Sequence, residues 1–257
     1  MDPWIRSHVI EAPQRTRDFC GDLMRGARVL NVGCGEMLMD LGLIGQGAAS
    51  VMGLDIHDKP GDWLETLANK VRKERIGFPS DYAHRLAYTR YDGRVFPFEE
   101  ASFDVVFSWS AFEHIADIGA VLREMHRVVK PDGAAFVQVF PWHGSRYGSH
   151  LDGWIKQPFF HHVESDQWVQ DQLQAATRDS SDDERNFITR YMFSEYVNLN
   201  RRSCNDFYEA ARDAGFVVAK ARIGAYDEDL THAPRGVAFH DLMIGETMML
   251  MRKGTPG

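Results

Sequence analysis

The chain has 257 residues, 44% of them hydrophobic and 12% aromatic, which is enough apolar matter for one large core and excludes a disordered chain. A formal charge of −8 opposes nonspecific association with nucleic acid, whose phosphates demand concentrated Lys and Arg; the short clusters at 71–75 and 200–203 do not reverse it. No run approaches the ~18 uninterrupted apolar residues of a membrane span, and the N-terminal "MDPWIRSHVIEAPQRTRD" has acids and prolines where a signal peptide would be apolar, so a cytoplasmic protein without membrane association is expected.

In chain order, "VLNV" at 29–32 reads as a strand, broken by Gly33 and Gly35 before a helix-compatible segment from Glu36 to Ile44 that Gly45 and Gly47 close. "SVMGLDI" is a second strand ending in Asp55. Trp63, Leu67 and Val71 recur every fourth residue, which predicts an amphipathic helix over 62–75. "RLAYTRYD" reads as a third strand ending at Asp92, and "SFDVVFSWS" as a fourth, with the unbroken apolar run of a strand covered on both faces. The next helix shows Ile115, Ile118, Val121, Leu122, Met125 and Val129 at spacings of three and four; Pro131 stops it, and "PDG" turns into the strand "AAFVQVF". Ser203 followed by Asp206 is a capping box for a helix ending at Gly215, and "FVVAKARI" and "ETMMLMRK" supply two last strands. Strand and helix alternate over the first 140 residues, which implies a parallel sheet wrapped by helices.

Residues 141–202 break that rhythm. They leave the C-terminal end of the fifth strand and are rich in aromatics and histidines, as in "PWHGSRYGSHLDGWIKQPFFHH". Ligands of open α/β sheets bind at that edge, so the segment is expected to cover the site and shape a substrate pocket within a single domain of residues 1–257.

The Gly33–Gly35 turn lets backbone approach a ligand, and Asp55, twenty residues on, can accept both hydroxyls of a ribose. A dinucleotide turn would carry a third glycine where Leu38 stands, which argues against a nicotinamide-dependent dehydrogenase. "VLNVGCGEML", Asp92 with "FPFEEASFD", "EH" at 113–114 and "LREMHRVVKPDG" occur in order over residues 28–140. Together they resemble a class I S-adenosylmethionine-dependent methyltransferase of the type acting on small molecules. The resemblance implies an α/β fold with a Rossmann-like seven-stranded sheet, its last strand antiparallel, helices on both faces, and the inserted lid after the fifth strand.

It also implies S-adenosyl-L-methionine as cofactor. Gly33, Cys34 and Gly35 would border the methionine moiety and ribose, Asp55 the ribose hydroxyls, Ile56 and Gly93 the adenine, Asp92 its exocyclic amine, and Ser108 would offer its backbone to the methionine amino group. Asn31 stands where the family usually has an acid and cannot neutralise an ammonium; Met37 stands where a second small residue is usual and either tightens packing or fills part of the pocket.

Methyl transfer needs the nucleophile held ~3 Å from the methyl group with water excluded, and an oxygen nucleophile must also lose a proton. His114, His143 and His150 are the candidate bases; a structural role is the alternative for His114. His161 and His162 lie in the same segment, but their spacing matches no established ligand motif, so no metal is expected. Cys20, Cys34 and Cys204 are far apart and form no CxxC; Cys34 reads as a packing residue. The expected reaction is methylation of a small molecule, on oxygen before nitrogen or carbon, with a sugar or lipid-linked glycan among the compatible acceptors. Another reaction on the same cofactor, such as a cyclisation, or a noncatalytic binding subunit are the alternatives.

Overall fold

The strands β1 (Arg28–Val32), β2 (Ser50–Asp55), β3 (Leu86–Arg90), β4 (Phe103–Trp109), β5 (Val129–Val139), β6 (Phe216–Ala225) and β7 (Ile244–Lys253) form one sheet ordered β3-β2-β1-β4-β5-β7-β6. This computed structural model describes residues 2–254. The first five strands pair in parallel, and β7 runs antiparallel to both β5 and β6. The chain therefore steps outward from β1 in both directions. The loops leaving β1 and β4 part company there, and that is where an open sheet makes its ligand crevice.

Period-two alternation sends neighbouring residues to opposite cores. Val29, Val105 and Phe107 join the cluster roofed by α2 (Ala12–Cys20), α3 (Leu38–Gly45) and α4 (Trp63–Lys73). Leu30, Val32 and Val106 join the other, beneath α6 (Ile118–Val128) and α10 (Cys204–Asp213). The short helices α1 (Pro3–Arg6), α5 (Tyr82–Arg85) and α11 (Phe239–Met243) complete the wrap. Between β5 and α10 the chain builds α7 (Asp166–Ala176), α8 (Asp182–Asn186) and α9 (Phe193–Val197). These enclose a third, separate cluster that includes Leu151, Phe160, Leu173, Ile188 and Tyr196. The expected capping box at Ser203 and Asp206 is present.

Four boundaries differ from the sequence reading. The first helix after the glycine turn begins at Leu38, because Met37 takes a left-handed conformation (φ 65°) that delays it. β3 ends at Arg90, two residues before Asp92. Asp117 caps α6 through the Ala120 amide, so Ile115 lies outside that helix. Pro131–Gly133 lies inside β5, accommodated where the β4–β5 register slips between Phe103 and Val105. The N-terminal helices were not foreseen: α2 is mostly polar, and it is buried by docking on α3 and, through Phe19, on Phe136 of β5.

That docking depends on a close approach. A Cβ at Gly42 of α3 would fall 2.4 Å from Pro13 Cγ and 2.6 Å from the Val9 carbonyl, whereas one at Gly45 would meet nothing. Gly42→Val should lower unfolding free energy by about 1–3 kcal/mol and expose the N-terminal segment to protease. Gly45→Ala should be neutral or stabilising by up to about 1 kcal/mol. Equal behaviour of the two variants in urea unfolding would refute this docking.

Candidate active site

The turn after β1 is locked from β2. The amides of Gly33 and Cys34 donate to the Leu54 carbonyl at 2.8 and 3.2 Å. Asp55 then accepts from the Gly35 amide at 2.9 Å through Oδ2 and from the His57 amide at 3.1 Å through Oδ1. Gly33 has φ 71°, and a Cβ there would lie 2.4 Å from that of Ala111, so only glycine lets the loop after β4 close on the turn. Around Gly35 the space is open. Lys59 donates to the Gly35 carbonyl and lies over the Tyr88 ring.

Several predicted site residues fall along this edge, not all with free side chains. Ile56 is 49% exposed beside Gly93, as a flat apolar ligand would require. Asp92 commits Oδ1 to the Arg94 and Val95 amides at 2.9 and 3.0 Å, bonds that hold its carboxyl below the usual range. Cys34 and Met37 point inward onto Gly53 of β2. Met37 is fully buried and so packs the turn from below. Burial pushes the Cys34 thiol well up, which fits packing and not nucleophilic chemistry. Ser108 lies inside β4, one residue short of its end; its hydroxyl donates to the Val32 carbonyl at 2.8 Å and joins β4 to β1.

Asn31 also turns away from the edge. Its Nδ2 donates to Asp40 Oδ2 at 2.8 Å, both residues being buried, and neither remaining oxygen has a partner. Burial pushes the Asp40 carboxyl up to about 7, against the Asn31 hydrogen bond. A protonated Asp40 supplies a donor where the anion would leave two acceptors unmatched. The sequence carried the signal: Asp40 is the one charge in the apolar run "MLMDLGLIG".

Histidines gather beyond the ends of β4 and β5. The His114 and His150 rings lie 5.1 Å apart, and one ligand atom from each of Glu113, His114 and His150 lies within 4.8 Å of the others. Neither Glu113 oxygen has a partner, and burial pushes the carboxyl up to about 8. His114 Nδ1 stands 3.6 Å from Glu195 Oε2, an electrostatic contact too long for a hydrogen bond. Asn200 holds this loop: its Nδ2 donates to the Phe112 and Ile115 carbonyls at 2.6 and 2.8 Å, and its amide to that of Glu113 at 2.9 Å.

His143 belongs to a second group. One nitrogen from each of His143, His161 and His162 lies within 4.8 Å of the others. The linear spacing hid this convergence, because a left-handed Phe159 (φ 57°) and a tight turn over Phe160–His162 fold the pair back onto His143. Burial, aided by the neighbouring positive groups, pushes His143 down to about 4 and His150 and His161 to about 3. These rings are neutral at neutral pH. Each leaves one buried nitrogen unpartnered, at a cost of about 1–3 kcal/mol apiece. A hollow of about 160 Å³ lined by Arg146, Tyr147, Lys156 and Phe160 lies within the inserted segment, away from the glycine turn.

Residues 30–137 match the methyltransferase domain family. The chain is 34% identical over 113 residues to the ubiquinone biosynthesis O-methyltransferase of Neisseria meningitidis serogroup C (strain 053442), covering 44% of each chain. It thus spans less than half the length of that relative. The structure resembles the cyclase SpnF with a TM-score of 0.54 at 15% identity, over 96% of this chain and 81% of that one. It also resembles the geranyl diphosphate C-methyltransferase of Streptomyces coelicolor A3(2) with a TM-score of 0.54 at 12% identity, over 95% and 78%. Both likenesses concern the fold. No helix among the described residues is long and apolar enough to cross a membrane.

The Asp40 proton gives stability a definite pH dependence. The native carboxyl keeps its proton up to about pH 7, whereas the unfolded one loses it near the ordinary 3.8. The native state therefore binds the extra proton between those values, and stability falls as pH rises through that window. The difference corresponds to about 4 kcal/mol. Asp40→Asn removes the penalty, so its stability relative to wild type should improve by about 2–3 kcal/mol between about pH 5 and pH 8 in urea unfolding. Parallel curves would mean that Asp40 is charged in the native state.

Proposed function

We propose that this chain, whose residues 30–137 match the methyltransferase domain family, is a class I S-adenosylmethionine-dependent methyltransferase that methylates a small-molecule acceptor at oxygen. The observation that carries this reading is the close approach of Ala111 to Gly33, which sets the loop bearing Glu113 and His114, with His150 beside it, next to the glycine turn.

The residues present fit the cofactor. Asp55 is 9% exposed and already faces the Gly35 amide, so its remaining lone pairs are available to ribose hydroxyls in the open space around that glycine. Ile56 and Gly93 would flank the adenine, and Asp92 would accept from its amine through Oδ2. Bound there, S-adenosylmethionine supplies an electrophilic methyl group on a positively charged sulfur. The chain's own work is to aim an acceptor oxygen at it, to keep water out, and to take the acceptor's proton.

The expected bases divide on this last task. A base works best with a pKa near the operating pH. Burial pushes His143 down to about 4 and His150 to about 3, which makes their imidazoles weak bases for an acceptor's proton. The lowering of His114 is opposed by Glu195, and His114 directly follows the loop that closes on the glycine turn. We assign the base role to His114, with Asn200 positioning its loop. The inserted segment 141–202, which carries its own apolar core, would serve as the lid.

Protein incubated with methyl-labelled cofactor and host small-molecule extract, including a glycan fraction, should move label into a new compound. Label left on the cofactor while an acceptor is consumed would favour a non-methylating reaction. Asp55→Ala should weaken binding of the demethylated cofactor at least tenfold by calorimetry, through loss of charge-assisted hydrogen bonds worth about 1.5–3 kcal/mol; unchanged affinity would sink the ribose assignment. His114→Ala should lower kcat by roughly 10²–10⁴ while cofactor affinity stays as it was. An undiminished kcat would place the proton transfer elsewhere.

A further inference from the structure

The convergence of His143, His161 and His162 points to a binding site for a divalent transition metal of the zinc class, with three imidazole ligands and one position open to an anionic oxygen. One nitrogen of each ring lies within 4.8 Å of the others, so small side-chain rotations bring all three to the ~2.0–2.1 Å that zinc requires.

Three further observations support the site. His161 Nε2 stands 2.9 Å from the His143 carbonyl, which can only accept; Nε2 therefore carries the ring proton, and Nδ1 holds the lone pair. That Nδ1 is buried without a partner, in a residue only 6% exposed. A ring whose far nitrogen donates to a backbone carbonyl while its near nitrogen is bare has the arrangement of a metal-bound histidine with its orienting contact. His143 Nδ1 and His162 Nε2 are likewise buried and unpartnered, so every ring offers an unused atom.

Charge fixes the nature of the fourth ligand. Three neutral imidazoles leave the ion's full double charge uncompensated, and Arg201 is close enough to lower both His143 and His162. An oxygen anion, hydroxide or the deprotonated oxygen of an acceptor, is what that combination favours. Only the acceptor alternative rests on the methyl-transfer reading; the metal site does not.

Titration of chelator-treated full-length protein with Co²⁺, followed by its visible absorption, separates the two. The expected result is one equivalent bound with the bands of a four-coordinate nitrogen site, a shift of those bands on adding azide, and displacement by Zn²⁺. His143→Ala and His162→Ala should each weaken binding at least about 100-fold, the upper end of what even outer contacts of a metal site contribute. His84→Ala, an exposed histidine on α5, should leave it unchanged. Zn²⁺ should raise the Tm of wild type and not of the two ligand variants. Absence of one-to-one binding by wild type overturns the proposal whether or not a variant folds. So does binding kept by His162→Ala but lost in Glu113→Gln, which would move the ion to the neighbouring cluster. Bands indifferent to azide would overturn the open position. None of these readouts involves methyl transfer.

Discussion

The carboxylate of Asp55 holds the candidate site together. It reaches from the end of β2 to the Gly35 amide and fixes the shape of the turn that leaves β1. Gly33 and Cys34 are tied to the preceding carbonyl of the same strand, so the turn cannot move without β2. Below it, Cys34 and Met37 fill the space over Gly53, where β2 has no side chain to resist them. This candidate edge is thus pre-shaped by core packing, which would leave little ordering for a ligand to impose.

The same packing accounts for the departures of this chain from the methyltransferase pattern it resembles. Met37 is buried beneath the turn and brings a left-handed residue to the start of α3. Asn31 donates from its side-chain amide to Asp40 and keeps Oδ1 unpartnered. An acid at position 31 would face Asp40 as a second buried carboxyl, and two such groups cannot both ionise in apolar surroundings. Asn31 and a protonated Asp40 are each what the other requires, so the two residues act as a single adaptation of the turn's foundation.

Much of the fold was legible in the sequence because one force, burial on both faces of a parallel sheet, writes a direct pattern. The unbroken apolar run of β4 and the three-and-four spacing of α6 locate themselves. Asp55 was legible for the same reason, standing where a strand must end. The N-terminal helices were not, since α2 is mostly polar and its contact with α3 turns on the single bare Cα of Gly42. Nor was the gathering of histidines. His143 and His161 are eighteen residues apart, and only the left-handed Phe159 and the turn after it bring them together. Strand periodicity carries no information about such a reversal. Glu113 was visible only as half of a two-residue motif; its burial without a partner is a property of the assembled mouth.

That mouth is expensive to keep. Glu113 and five histidines gather around the ends of β4 and β5, and most of them hold buried atoms with nothing to bond. A core free to choose would fill such a volume with hydrocarbon, which costs nothing in lost hydration. The surrounding framework over-determines it instead: Asn200 makes three hydrogen bonds to the loop bearing Glu113 and His114, and a separate apolar cluster fixes the segment bearing His161. Unsatisfied polar groups held rigidly in a cleft are what a fold tolerates when something outside the chain completes them. Here the groups are of two kinds. Neutral imidazoles with bare lone pairs suit a cation. A carboxyl raised to about 8 and a histidine facing Glu195 suit the movement of a proton. The two kinds are neighbours, since His150 lies close to both His114 and His143, so the chemistry of this mouth is best understood as their joint property.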